Sequence, residues 1–113
     1  MAYIEIAPAE GTWTVRTTDG ILVESRSAKA LVEGGGPAVI YFPREDVAMA
    51  LLERSQTHTQ CPHKGEASYF TYVGQSDRID DVAWSYEHVT KADAKPIEGH
   101  LAFYGSKVTV EQI

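Results

Sequence analysis

Apolar and polar positions alternate in short runs along most of the chain, and turn residues separate the runs. Trp13, Val15 and Thr17 alternate with polar neighbours, Asp19-Gly20 supplies the positive-φ positions of a tight turn, and Ile21, Val23 and Ser25 continue on the return. This spacing predicts a β-hairpin, because a period of two puts one set of side chains on one sheet face. A further strand is expected over residues 29–33. Gly34-Gly35-Gly36-Pro37 ends it, since glycine and proline together favour a turn, and residues 38–42 read as a buried strand. Residues 66–73, 79–87, 101–104 and 107–110 complete the strand list, with a turn at 74–78 and a helical turn at 91–94 ahead of Pro96. One short α-helix is expected near residues 46–52. Pro43-Arg44-Glu45-Asp46 places a φ-fixed residue and two acids at its start, and Val47-Ala48-Met49-Ala50-Leu51-Leu52 follows. Residues 55–65 read as a polar loop. The expected fold is a mainly β single domain over residues 1–113. Its sheet rolls around Trp13, Val15, Ile40, Phe103, Val108 and Val110, and the helix closes one end.

Composition narrows the function. The 113 residues are 43% hydrophobic and 23% charged, which suits one globular core and excludes a disordered chain. Ten basic against sixteen acidic side chains leave a net charge of −6, so a nucleic-acid backbone is not expected as a partner. No apolar run approaches the ~20 residues of a membrane span. The opening Met1-Ala2-Tyr3-Ile4-Glu5 has neither a basic nor an apolar leader segment, and the lone Cys61 has no internal disulfide partner. A cytoplasmic location is expected, with no membrane association. The aromatic residues concentrate between Tyr41 and Tyr104, and burial of some of them between copies makes a homodimer the expected assembly.

Few residues offer chemistry. The glycine run at Gly34 lacks the Gly-Lys-Ser/Thr of a phosphate-binding loop. His58, Cys61 and His63 have chelating spacing, but structural zinc takes four ligands and no second Cys/His pair follows, so neither metal nor cofactor is expected. Asp77, Asp80 and Asp81 form the only carboxylate cluster, and adjacent strand positions face opposite ways. Cys61 is either a small buried side chain or a thiol activated by the positive charge of the nearby His63 and Lys64. Arg44, at a helix start, either holds an anion or pairs with Glu45 or Asp46. By strand parity Val82, Trp84 and Tyr86 share one face, and Asp81, Ala83, Ser85 and Glu87 the other. The Trp84-Tyr86 stripe is either core or a pocket wall.

The segments Tyr41-Phe42-Pro43-Arg44-Glu45-Asp46-Val47, Thr59-Gln60-Cys61-Pro62-His63-Lys64-Gly65-Glu66-Ala67-Ser68-Tyr69, Ala83-Trp84-Ser85-Tyr86 and Gly99-His100-Leu101-Ala102-Phe103-Tyr104 resemble the bacterial domain-of-unknown-function family DUF427. The resemblance covers nearly the whole chain and implies a β-tent (Mss4-like) domain with one short helix. Relatives of that fold class hold zinc through paired Cys-x-x-Cys motifs, which a chain with one cysteine does not carry. The family also bears a nucleotidyltransferase-like label, but that chemistry needs paired carboxylates on two metal ions. The motif positions carried over are Arg44, Cys61, Lys64, Tyr69, Trp84 and Tyr86, with His63 left outside. Arg44 and Lys64 are expected to meet Trp84 and Tyr86 at one concave site, Tyr69 beside them, that selects a small planar or anionic ligand. Two alternatives stand beside it: an enzyme using Cys61 or Lys64 in thiol- or group-transfer chemistry, and a purely structural or interaction domain.

Overall fold

The computed structural model describes residues 3–113. Met1 and Ala2, part of the opening segment read as lacking a leader, lie outside the described residues. Ten strands form three antiparallel sheets, and no α-helix occurs among the described residues. The first sheet has the order β1-β4-β5, built from β1 (Ile4–Pro8), β4 (Lys29–Glu33) and β5 (Val39–Tyr41). The second joins β10 (Thr109–Gln112), β2 (Trp13–Thr17) and β3 (Gly20–Ser25) in that order. The third is β6 (Leu52–Cys61), β7 (Gly65–Val73), β8 (Arg78–Ser85) and β9 (Leu101–Phe103). No helix among the described residues is long and apolar enough to cross a membrane.

Two expectations need correction. The short α-helix near residues 46–52 resolves into two 3-10 turns, Arg44–Asp46 and Met49–Leu51, separated by an extended Val47. Val47 bridges Val23 and is buried, while Ser25 donates its hydroxyl to Asp46 Oδ2 at 2.7 Å. These tertiary partners hold the backbone open after one turn, and an isolated helix this short has no cooperativity to resist them. The polar loop expected over residues 55–65 is mostly strand β6. Its residues are largely exposed, as befits an outer strand paired only with β7, and its register slips between Arg54 and His58.

The core divides into two clusters. The larger gathers Val15, Val23, Phe42, Val82, Leu101 and Phe103 between the sheets. The smaller centres on Leu31, Tyr41, Ala67, Tyr86, Ile97 and Ala102. Of the residues expected at the centre, Val15, Phe103 and Val108 are buried, whereas Trp13, Ile40 and Val110 are only partly covered and pack along the margin. Phe42 stitches the first sheet's chain to the third: its N–H donates to Leu101 O at 2.8 Å, and Leu101 N–H donates back to Phe42 O at 2.9 Å.

Candidate functional site

The turn between β6 and β7 places Lys64. Its N–H donates to Cys61 O at 3.3 Å, and Gly65 follows at φ 119°, where an added Cβ would stand 2.9 Å from His88 O. Only glycine combines that backbone angle with that close approach. Lys64 is therefore driven inward, 5% exposed, with Nζ 2.5 Å from Glu33 Oε1 at the end of β4 and 5.3 Å from the centre of the Tyr86 ring. Register pairs Tyr69 of β7 with Trp84 of β8. Trp84 Nε1 donates to the Tyr41 hydroxyl at 3.2 Å, the two rings edge to face at 6.4 Å, and Tyr104 lies against the indole at 4.6 Å. Tyr69 and Thr59 share a hydroxyl hydrogen bond of 3.0 Å. These side chains enclose a cleft of about 260 Å³, floored by Leu31 and Val39.

The electrostatics follow from burial. Desolvation pushes the Lys64 ammonium toward losing its proton, but the Glu33 carboxylate, with Tyr41 and Cys61 beside it, outweighs that, and its pKa ends above the ordinary lysine range. Lys64 is thus a buried cation with a matched anion. Burial raises the Tyr41 phenol, an effect the Trp84 N–H partly offsets, and raises Tyr86 further. Tyr104 is pushed up to about 12 by burial and then by its hydrogen bond with Tyr69. All three hydroxyls stay neutral at physiological pH and offer both a donor and an acceptor.

Lys64, Tyr69, Trp84 and Tyr86 line one cleft. Cys61 packs against the same apolar cluster, beside Lys64 but outside the cleft wall. Arg44 does not join them, which corrects the expectation of one site holding both cations. Its Nη2 lies 2.6 Å from Glu87 Oε2 and its Nε donates to Gly99 O at 3.2 Å. Arg54 holds the other Glu87 oxygen at 2.6 Å, and both guanidinium groups sit over Phe70, at 5.6 and 5.2 Å from its centre. Ser85 and Glu87 face away from Trp84 and Tyr86, so the strand itself separates Arg44 from the cleft. The physical reason is the shared Glu87 carboxylate, which draws both arginines to its own side.

Three participants were missed from the sequence: Glu33, Tyr41 and Tyr104. For Glu33 a signal existed, because alternation through β4 sets it on the side of the buried Leu31. The acids at 77, 80 and 81 form no shared site: Asp81 accepts from Thr57 at 2.7 Å, while Asp80 holds Arg78 at 3.1 Å on the surface. His63 stacks on Tyr3 at 4.4 Å. The zinc that the β-tent resemblance brings to mind finds no fit, since among the described residues no three histidine, cysteine or acidic side chains gather as a cage.

Compared with known proteins, residues 5–113 match a family described as a domain of unknown function, DUF427. No curated protein matches the chain.

Proposed function

The chain belongs to the DUF427 family, and on that premise we propose that it binds a small planar molecule in the cleft between Lys64 and Trp84. The observation that carries this reading is the convergence of buried Lys64, paired with a partly exposed Glu33, with Trp84 and four tyrosines on one concavity. Core packing alone has no use for a charged pair there, because burying it costs desolvation that an apolar pair avoids. The Trp84 indole offers a flat face for stacking, with the Tyr104 ring tilted 46° beside it. Lys64 has three donors and spends one on Glu33, so it retains capacity for a carbonyl, carboxylate or ring nitrogen, while Glu33 receives an N–H or O–H. Anion selectivity rests on Lys64 alone, since Arg44 is committed to Glu87.

A calorimetric screen of nucleobases, benzoates and aromatic amides tests this. Lys64→Met should weaken any hit by roughly ten- to hundredfold, the value of a desolvated charge-assisted contact, and Arg44→Ala should leave it unchanged. Equal affinity in wild type and Lys64→Met would refute the reading.

Thiol chemistry has one observation in its favour, the Lys64 ammonium beside a partly exposed Cys61. Lys64 itself holds its proton too firmly to act as a neutral nucleophile at physiological pH, so its contribution would be charge. Iodoacetamide should then alkylate Cys61 faster in wild type than in Lys64→Met, because the neighbouring cation favours the thiolate. Identical rates would remove the thiol from consideration.

A further inference from the structure

The three partly covered residues expected at the core centre, Trp13, Ile40 and Val110, share a second concavity of about 620 Å³. It adjoins the cleft directly, and Val39, Trp84 and Tyr104 line both. Its walls come from all three sheets: Ile40 of β5 from the first, Trp13 of β2 and Val110 of β10 from the second, Trp84 of β8 and Phe103 of β9 from the third. Its only charged lining residue is Glu10, at the exposed rim, whose backbone carbonyl already accepts from Trp13 Nε1 at 3.0 Å and Gln112 Nε2 at 2.9 Å. Apart from the Glu10 carboxylate at the rim, fixed charge lies at the Lys64–Glu33 end, and apolar surface continues beyond Trp84.

We infer that the occupant is one amphipathic small molecule, with a planar polar head in the cleft and an apolar chain along this groove. The inference rests on the cleft reading above and extends it. A compact polar ligand would leave the wall formed by Trp13, Ile40 and Phe103 wet, and a plain hydrocarbon would leave Lys64 and Glu33 without a new partner while covering them. Together the two spaces remain within the roughly 300–1,000 Å³ that single small molecules fill. The shared lining of Val39, Trp84 and Tyr104 puts the two spaces side by side, where one molecule would reach both.

Calorimetry with benzoate and para-alkylbenzoates from methyl to hexyl separates the possibilities. In wild type the affinity should rise roughly three- to fourfold per methylene as the chain enters the groove. Ala38, exposed and lining the groove but not the cleft, provides the control. Ala38→Trp should flatten the chain-length series while benzoate itself binds as before, and an unchanged melting temperature confirms that the variant is folded. Lys64→Met should lower the whole series by one common factor. If benzoate binds and the chain adds nothing, the groove is not part of the site and the inference is overturned, although the cleft reading survives. If the hexyl compound binds Lys64→Met as tightly as wild type, the groove acts alone and the two-part ligand is wrong. If no member binds even at millimolar concentration, the cleft reading fails and takes this inference with it.

Discussion

Phe42→Ala should destabilise the protein by about 3–5 kcal/mol, the range measured when a large buried aromatic ring is removed and the cavity stays partly open. Phe42 is wholly buried and lies edge to face with Phe103, the ring centres 6.0 Å apart. Its two backbone hydrogen bonds to Leu101 hold the chain where sheets one and three meet, so its neighbours are fixed and have little freedom to collapse into the space. Against a typical total of about 5–15 kcal/mol, that loss is roughly a fifth or more of the whole. Urea unfolding should show the midpoint falling steeply at constant slope. A change under about 1 kcal/mol would mean that the site repacks, contrary to the rigid junction described here.

High pH should unfold the protein, and the cleft is the reason. Tyr41 and Tyr86 are held above the ordinary phenol value of 10.0, and Lys64 above the ordinary 10.5. The signs agree. The unfolded chain releases these protons near the ordinary values while the folded chain keeps them, so above that point the unfolded state binds fewer protons and folding stability falls as pH rises. The contribution is complete below about pH 10 and is lost as pH climbs through the higher folded values. Each buried group that differs in this way steepens the loss by up to about 1.4 kcal/mol per pH unit. Urea midpoints between about pH 8 and pH 11.5 should therefore drop sharply past pH 10, with tyrosinate absorbance appearing together with unfolding. The Tyr41→Phe, Tyr86→Phe double variant should show a flatter profile. A flat wild-type profile would mean that the cleft phenols are solvated.

Alternation made most of the architecture legible. The β2–β3 hairpin carries an inside and an outside, and that contrast is what a period-two pattern records, whereas β7 and the Trp84 stretch of β8, covered on both faces, stand out by their aromatic and apolar content. β6 carries no such contrast. Ser55-Gln56-Thr57-His58-Thr59-Gln60 is polar on both sides because an outer strand standing in solvent needs no apolar face, so it reads as a loop. The Val47–Leu52 run failed for the opposite reason: six apolar residues fit a helix or a string of turns equally well, and Val23 and Ser25, far away in sequence, decide between them. Within the site, Trp84 and Tyr86 were legible from parity, and Lys64 from its motif. Arg44 was misplaced because adjacency to a strand end says nothing about which side of another strand it will meet. Alternation in β4 puts Glu33 on the side of buried Leu31, but that it meets Lys64 of another sheet is not encoded locally, and Tyr104 reaches Trp84 from just beyond the neighbouring strand β9.

The pairing of β10 with β2 has a temporal consequence. Val15, fully buried, lies opposite Val110, and Arg16 is clamped to Glu111 across 95 positions of sequence. As a ribosome extrudes the chain, the early hairpin must therefore wait, with an unpaired edge, until nearly all of this sequence has emerged. Closing so distant a contact is slow relative to local structure, which places completion in the millisecond-to-second range typical of non-local β topologies. In that interval the nascent hairpin is the segment most in need of a chaperone's cover.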